Sequence, residues 1–75
     1  TVARRNQIWM IPLIGNYENE VIIMNVQGRI VNRFINYRNQ TSLGNVSVGV
    51  YFYRIRIMES PGQYKYYSGR LLITE

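Results

Sequence analysis

The chain reads as an all-β protein, a small Ig-like antiparallel β-sandwich of six to seven short strands, and the pattern of its 75 residues supplies the reasons. Apolar runs rich in β-branched and aromatic residues recur at short intervals, and Gly, Asn, Pro and Ser separate them. That is strand-and-turn punctuation. No window sustains the i, i+3, i+4, i+7 spacing of an amphipathic helix. Two independent cores in a chain this short would each fall below the size at which burial offsets chain entropy. Residues 1–75 are therefore taken as a single β-sandwich domain, with residues 1–7 as a linker or the start of a truncated first strand.

The first run, Ile8–Ile14, contains Pro12. Proline cannot donate to a ladder, so this run is expected to be an edge strand or a break. Residues 20–26, EVIIMNV, form a β-branched run, Gln27-Gly28 marks a tight turn with Gly28 free to take positive φ, and residues 29–35, RIVNRFI, complete a hairpin. The apolar residues of 8–14 and 20–26 follow one another without alternation, which implies cover on both sides or a partner contact. Strand exchange between copies, a strand-swapped homodimer, would relieve such a surplus.

Residues 36–47 concentrate Asn, Ser, Thr and Gly around Leu43, as a surface connection anchored by one apolar plug does. In residues 48–58, VGVYFYRIRIM, counting by two puts Tyr51, Tyr53, Ile55 and Ile57 on one face and Val50, Phe52, Arg54, Arg56 and Met58 on the other. The arginines belong in solvent, so the Tyr and Ile set should face the core. Ser60-Pro61-Gly62 reads as a turn. Residues 63–74, QYKYYSGRLLIT, make a last strand or strand pair with Gly69 as a bulge or bend.

The chain has no Cys, His or Asp. Thiolate and imidazole metal sites, Cys and His nucleophiles and the Ser-His-Asp constellation all fall away on that inventory. Glu18, Glu20, Glu59 and Glu75 are the only carboxylic side chains, and nothing in their spacing sets two around a cleft as acid-base pairs require. No catalytic, cofactor or metal site is assigned, and the protein is read as a non-enzyme. Nine cations against four Glu give +5, which favours anionic partners. Apart from Arg4-Arg5 the cations stand singly, so no basic tail is present.

Three segments resemble a known family. VIIMNVQGRIV at 21–31 is similar to the V-x-I-x-N-x-x-G-x-x-V hairpin of type A C-terminal sorting domains of the type IX secretion system of Bacteroidetes. VSVGVYFYRI at 46–55 resembles their L-P-x-G-x-Y-x-x-x-I strand, with Val46-Ser47-Val48 where Leu-Pro is usual, and YYSGRLLITE at 66–75 resembles their terminal strand. The family's opening Pro-Asn-Pro element has no counterpart before Pro12.

The resemblance implies a non-catalytic secretion signal without cofactors, directing a parent protein through the periplasm to the cell surface or outer membrane, or to secretion. The implied partners are the outer-membrane secretion machinery, a sortase-like peptidase and, after processing, anionic lipopolysaccharide. Carried over residue by residue, recognition falls on Gly28, Gly49, Tyr51, Leu71, Leu72, Ile73, Thr74 and Glu75. An exposed final strand could be captured by β-augmentation.

Two other classes compete. Arg54 and Arg56 share a strand face with Phe52, and Tyr64, Tyr66 and Tyr67 surround Lys65, an interleaving that OB-type surfaces use for single-stranded nucleic acid. Without an RNP or cold-shock aromatic motif, nucleic acid is not the expected partner. A structural Ig-like module of a surface protein is the third reading.

Overall fold

The computed structural model describes residues 1–75 and is all-β: β1 (Val2–Arg4), β2 (Glu18–Met24), β3 (Ile30–Ile35), β4 (Gly49–Ser60) and β5 (Gln63–Thr74), with one 3-10 turn at Pro12–Ile14. All five strands belong to one sheet, in the order β1-β5-β4-β2-β3. The strand count is thus five rather than six to seven, and the sheet is mixed because β1 runs parallel to β5. Every other pairing is antiparallel.

The second layer of this sandwich-like body is irregular chain. Trp9, Ile11 and Ile14 from the segment after β1, with Tyr37, Leu43 and Val46 from the β3–β4 connection, close over Ala3, Val21, Ile23, Tyr51, Ile55, Ile57, Leu71 and Ile73 of the sheet. Pro12 explains why residues 8–14 do not form a strand. It opens the 3-10 turn, and the segment keeps only an isolated bridge from Ile8 to Ser42. The connection at 36–47 contributes more than its expected plug: Leu43 is buried, and so are Tyr37 and Val46.

The two long strands β4 and β5 meet at Pro61-Gly62, and β2 and β3 at the turn ending in Gly28, whose φ is +84°. Asn25 organises that turn, its Oδ1 accepting from the N–H groups of Gln27 and Arg29 at 3.0 Å each. Alternation in β4 follows the sequence reading, with Tyr51, Ile55 and Ile57 buried and Arg54 and Arg56 exposed. In β2, Val21, Ile22 and Ile23 are all buried. Ile22 points to the outer face, where its register neighbours are Arg33 and Arg54, side chains with aliphatic stems long enough to screen it.

Gly69 is not a bulge. The register of β5 against β4 stays continuous past it, and the shifts lie at Met58/Ser60 and Ile23/Met24. What requires glycine at 69 is the ring of Tyr53: a Cβ there would stand 2.7 Å from the Tyr53 hydroxyl oxygen. Residues 1–7 also resolve into structure, since Val2–Arg4 pair in register with Leu72–Thr74.

Candidate recognition surfaces

The residues singled out by the family resemblance converge at one end of the sheet. Gly49 faces Ile73 and Tyr51 faces Leu71 across the β4–β5 ladder. Because β2 runs antiparallel to β4 with Met24 opposite Phe52, the Gly28 turn projects from this same end. Tyr51 is buried, and its hydroxyl donates to the Ser47 carbonyl at 2.8 Å, with Ser47 Oγ at 3.2 Å. That contact ties the start of β4 to the connection before it. Gly49 has φ +151°, a conformation a side chain adopts with strain.

The terminal strand is not an exposed edge. Leu71 and Ile73 are fully buried, and residues 72–74 lie between β1 and β4. Only Leu72, on the outer face, and Glu75 are exposed; Thr74 is intermediate. Glu75 forms an ion pair with Arg5 at 3.0 Å, and Arg5 Nη2 donates to the Gly44 carbonyl at 3.0 Å. The apolar alternation of this segment indicated a strand. It did not reveal that β1 would pair in parallel on its far side.

On the outer face, no layer covers the sheet. Val2, Val50, Phe52 and Leu72 are exposed there, as are Arg4, Arg54, Arg56 and Arg70. None of these arginines has a carboxylate at ion-pair distance; the acidic side chains pair as Arg33–Glu20, Lys65–Glu59 and Arg5–Glu75, with Glu18 left alone. The Arg56 guanidinium lies 5.2 Å from the centre of the Tyr64 ring. The hydrogen bond and charge of Glu59 raise the pKa of the Lys65 ammonium.

A third surface lies where β5 runs on past β1. A cleft of about 180 Å3 opens there, walled chiefly by Trp9, Met10, Leu13, Tyr53 and Tyr67. Trp9 packs edge-on against Tyr53 with ring centres 6.3 Å apart. Beneath it, the Tyr37 hydroxyl sits 2.6 Å from the Trp9 carbonyl and 2.9 Å from the Thr41 carbonyl. Burial pushes the Tyr37 phenol above its usual range, and the hydrogen bond to Thr41 offsets part of that shift.

Polar pins hold the irregular layer to the sheet and its two segments to each other. Buried Asn19 donates to the Tyr17 and Tyr37 carbonyls at 3.0 and 3.1 Å and accepts from the Tyr37 N–H at 2.9 Å. Asn39, at φ +57°, mimics a strand partner for Ile11, accepting its N–H at 2.6 Å and donating to its carbonyl at 3.3 Å. Compared with protein-family models, with curated proteins and with solved structures, the chain matches none.

Proposed function

We propose that this domain is a non-catalytic sorting signal, recognised by the outer-membrane apparatus of a type IX secretion system and carried with its parent protein to the cell surface. One arrangement supports the reading. The three segments that resemble such signals occupy neighbouring strands, β2–β3, β4 and β5, and bring Gly49, Tyr51, Leu71 and Ile73 into register at the end from which the Gly28 turn projects. Exposed Leu72 and Glu75 and the Gly28 turn are the parts of this end that a receptor can touch; Tyr51, Leu71 and Ile73 hold it in shape. A sortase-like peptidase and anionic lipopolysaccharide follow as downstream partners, the latter suited to the unpaired arginines of the outer face.

The test is export of a periplasm-directed reporter fused ahead of residues 1–75 in a Bacteroidetes strain with the system. Surface display that needs the domain, and that falls when Leu72→Ser and Glu75→Ala are combined in a domain still folded, supports the reading. Retention of the unaltered fusion in the periplasm removes it. Deleting residues 71–75 is uninformative, since it strips Leu71 and Ile73 from the core.

The outer face favours a second reading, a single-stranded nucleic-acid surface. Phe52, Tyr64 and Tyr66 stand among Arg54, Arg56 and Arg70, which offers rings for stacking and cations for phosphates. Binding of a labelled oligothymidine that weakens steeply with salt is the signature. No binding at low salt dismisses it.

A further inference from the structure

We propose that the free edge of β3 is a homodimer interface, on which a second copy of the chain lays its own β3 antiparallel, joining the two sheets into one. Both chain ends belong to the β1–β5 side of the sheet, and β4 and β2 stand between them and this edge. One hydrogen bond fixes where its peptide groups point. The Asn36 N–H donates to the Asn19 carbonyl at 2.8 Å, which makes residues 19 and 36 a hydrogen-bonded pair of the β2–β3 ladder. Such pairs alternate with open ones. Val21–Phe34 and Ile23–Asn32 are therefore bonded pairs, and Ile22–Arg33 and Glu20–Ile35 are open. The N–H and C=O groups of Arg33 and Ile35 accordingly face away from β2, and no other strand or loop backbone bonds to them.

An unpaired edge is a template for another strand unless lysine, proline or an inward charge blunts it. β3, IVNRFI, has no Lys and no Pro, and its one charge, Arg33, is neutralised by Glu20. Ile30, Val31 and Ile35 are exposed apolar residues along it. The irregularity at Ile23/Met24 sets Ile30 and Val31 off the alternation, so the straight part of the edge is Asn32 to Ile35.

The register selects a second copy as the occupant, because this stretch is complementary to itself. A two-fold axis at Phe34 sets Arg33 opposite the partner's Ile35 and Ile35 opposite the partner's Arg33. Both pairs then exchange their N–H···O bonds, and every outward group of the two residues is satisfied in both copies. On the outer face, the partner's Ile35 has the partner's Glu20 beside it in the ladder. The Arg33 side chain, whose Nε donates to its own Glu20 at 2.7 Å, is long enough to lie between the two carboxylates. Cations and carboxylates thus alternate across the seam. On the inner face, Phe34, only partly buried in one copy, meets the partner's Phe34 in an open pair, where side chains approach most closely. The other two-fold registers are poorer. Centring on Arg33 sets two guanidinium groups directly opposite each other. Centring on Ile35 runs Arg33 against the partner's Tyr37, which lies beyond the strand and in the core.

This interface rests on the β3 edge and not on the export reading, and the mass of the protein in solution tests it apart from any export assay. Sedimentation velocity of residues 1–75 from micromolar to millimolar concentration is the primary measurement. The chain has no Cys, so single cysteines placed on β3 report the register by the rate at which they link two copies under mild oxidation.

The expected result is a reversible monomer–dimer equilibrium, with the amides of Arg33 and Ile35 gaining protection from exchange as the dimer fills. Ile35→Pro removes one outward N–H without breaking a β2–β3 hydrogen bond and should weaken association at least tenfold. Should that variant unfold by circular dichroism, Ile35→Lys is the second probe. It alters an exposed side chain and sets an ammonium group opposite the partner's Arg33, with a similar loss expected. Phe34→Cys, at the two-fold axis, should link copies at least tenfold faster than Asn32→Cys, which the register sets away from its own counterpart.

A chain that stays monomeric at millimolar concentration overturns the interface. So does a dimer that persists unweakened in a folded Ile35→Pro or Ile35→Lys variant, as one built by strand exchange would, or protection that maps to another strand. Linking through Asn32→Cys at the rate of Phe34→Cys would place the contact in a different register and overturn the proposal as well.

Discussion

The ring of Tyr53 lies directly across Gly69 on the neighbouring strand, so close that any Cβ at 69 would fall 2.7 to 2.9 Å from its hydroxyl oxygen, Cζ and Cε2. The two residues are register partners in the β4–β5 ladder, and Trp9 packs edge-on against the same ring. Gly69→Ala must displace the ring and disturb that contact. The expected cost is about 1–3 kcal/mol, the usual range for overpacking. Combining Gly69→Ala with Tyr53→Ala should cost less than the sum of the single changes, because the clash exists only when both side chains are present. Urea unfolding of the four proteins measures the coupling.

Asn19 is the most constrained polar side chain in the fold. It is buried, and its amide serves both the Tyr17 and Tyr37 carbonyls and the Tyr37 N–H. Asn19→Leu keeps the branched outline but leaves the Tyr37 N–H without its partner, at about 1–3 kcal/mol for a buried group left unpaired, while the Tyr17 and Tyr37 carbonyls keep the Arg38 guanidinium. Asn36→Gly, which removes the acceptor for the Asn19 N–H and tolerates the left-handed backbone at φ +55°, should cost less. The ratio of the two in chemical denaturation distinguishes a buried pin from a local turn contact.

Tyr37 gives the stability a pH dependence in alkali. Its folded pKa is raised, mainly by burial. Once the pH passes the ordinary phenol value of about 10, the unfolded chain releases a proton that the native state still holds. Stability is therefore unaffected by this group below about pH 10 and falls as pH climbs from there toward the folded pKa, by up to ~1.4 kcal/mol per pH unit. Tyr37→Phe should lose about 1 kcal/mol at neutral pH through the missing hydroxyl, and it should unfold with a shallower alkaline slope than the parent. Melts between pH 8 and about 11 check the slope.

The hairpin turn supplies a test of backbone chemistry alone. Gly28 sits at φ +84° with open space where a Cβ would point. Gly28→Ala is therefore a conformational cost without a clash, about 1 kcal/mol. Gly28→Asn should recover much of it, since Asn tolerates left-handed backbone. Equal destabilisation by both would show that the turn is not the reason for glycine there.

Much of this was legible in the sequence because period-two alternation is decisive where one face is buried. β4 shows it: Tyr51, Ile55 and Ile57 enter the core, and Arg54 and Arg56 stay out. The Gly28 turn and the Pro61-Gly62 turn were equally readable, each resting on residues with a restricted or unusual φ. What escaped was long-range. The parallel pairing of Val2–Arg4 with Leu72–Thr74 joins the two ends of the chain, and no local pattern encodes it. Asn36 and Asn39 read as residues of a surface connection, yet each satisfies backbone groups of a distant segment. Gly69 looked like a bend because a glycine in a strand has several physical causes, and the ring that selects among them comes from another strand.

The terminal strand separates structure from recognition residue by residue. Leu71 and Ile73 are fully buried, whereas Leu72 between them is 40% exposed on the open outer face. Leu71→Ala and Ile73→Ala should each cost about 2–5 kcal/mol, the range for truncating a buried aliphatic side chain. Leu72→Ala should stay within about 1 kcal/mol, as exposed positions do. Glu75→Gln breaks an exposed ion pair with Arg5 and should change stability by less than about 1 kcal/mol, an effect that vanishes in high salt. Thermal melts at low and high salt measure all four variants. If Leu72→Ala or Glu75→Gln proved as damaging as Leu71→Ala, the chain end would be structural throughout, and neither position could report on a receptor. If they are mild as expected, any loss of export they cause belongs to recognition and not to the fold.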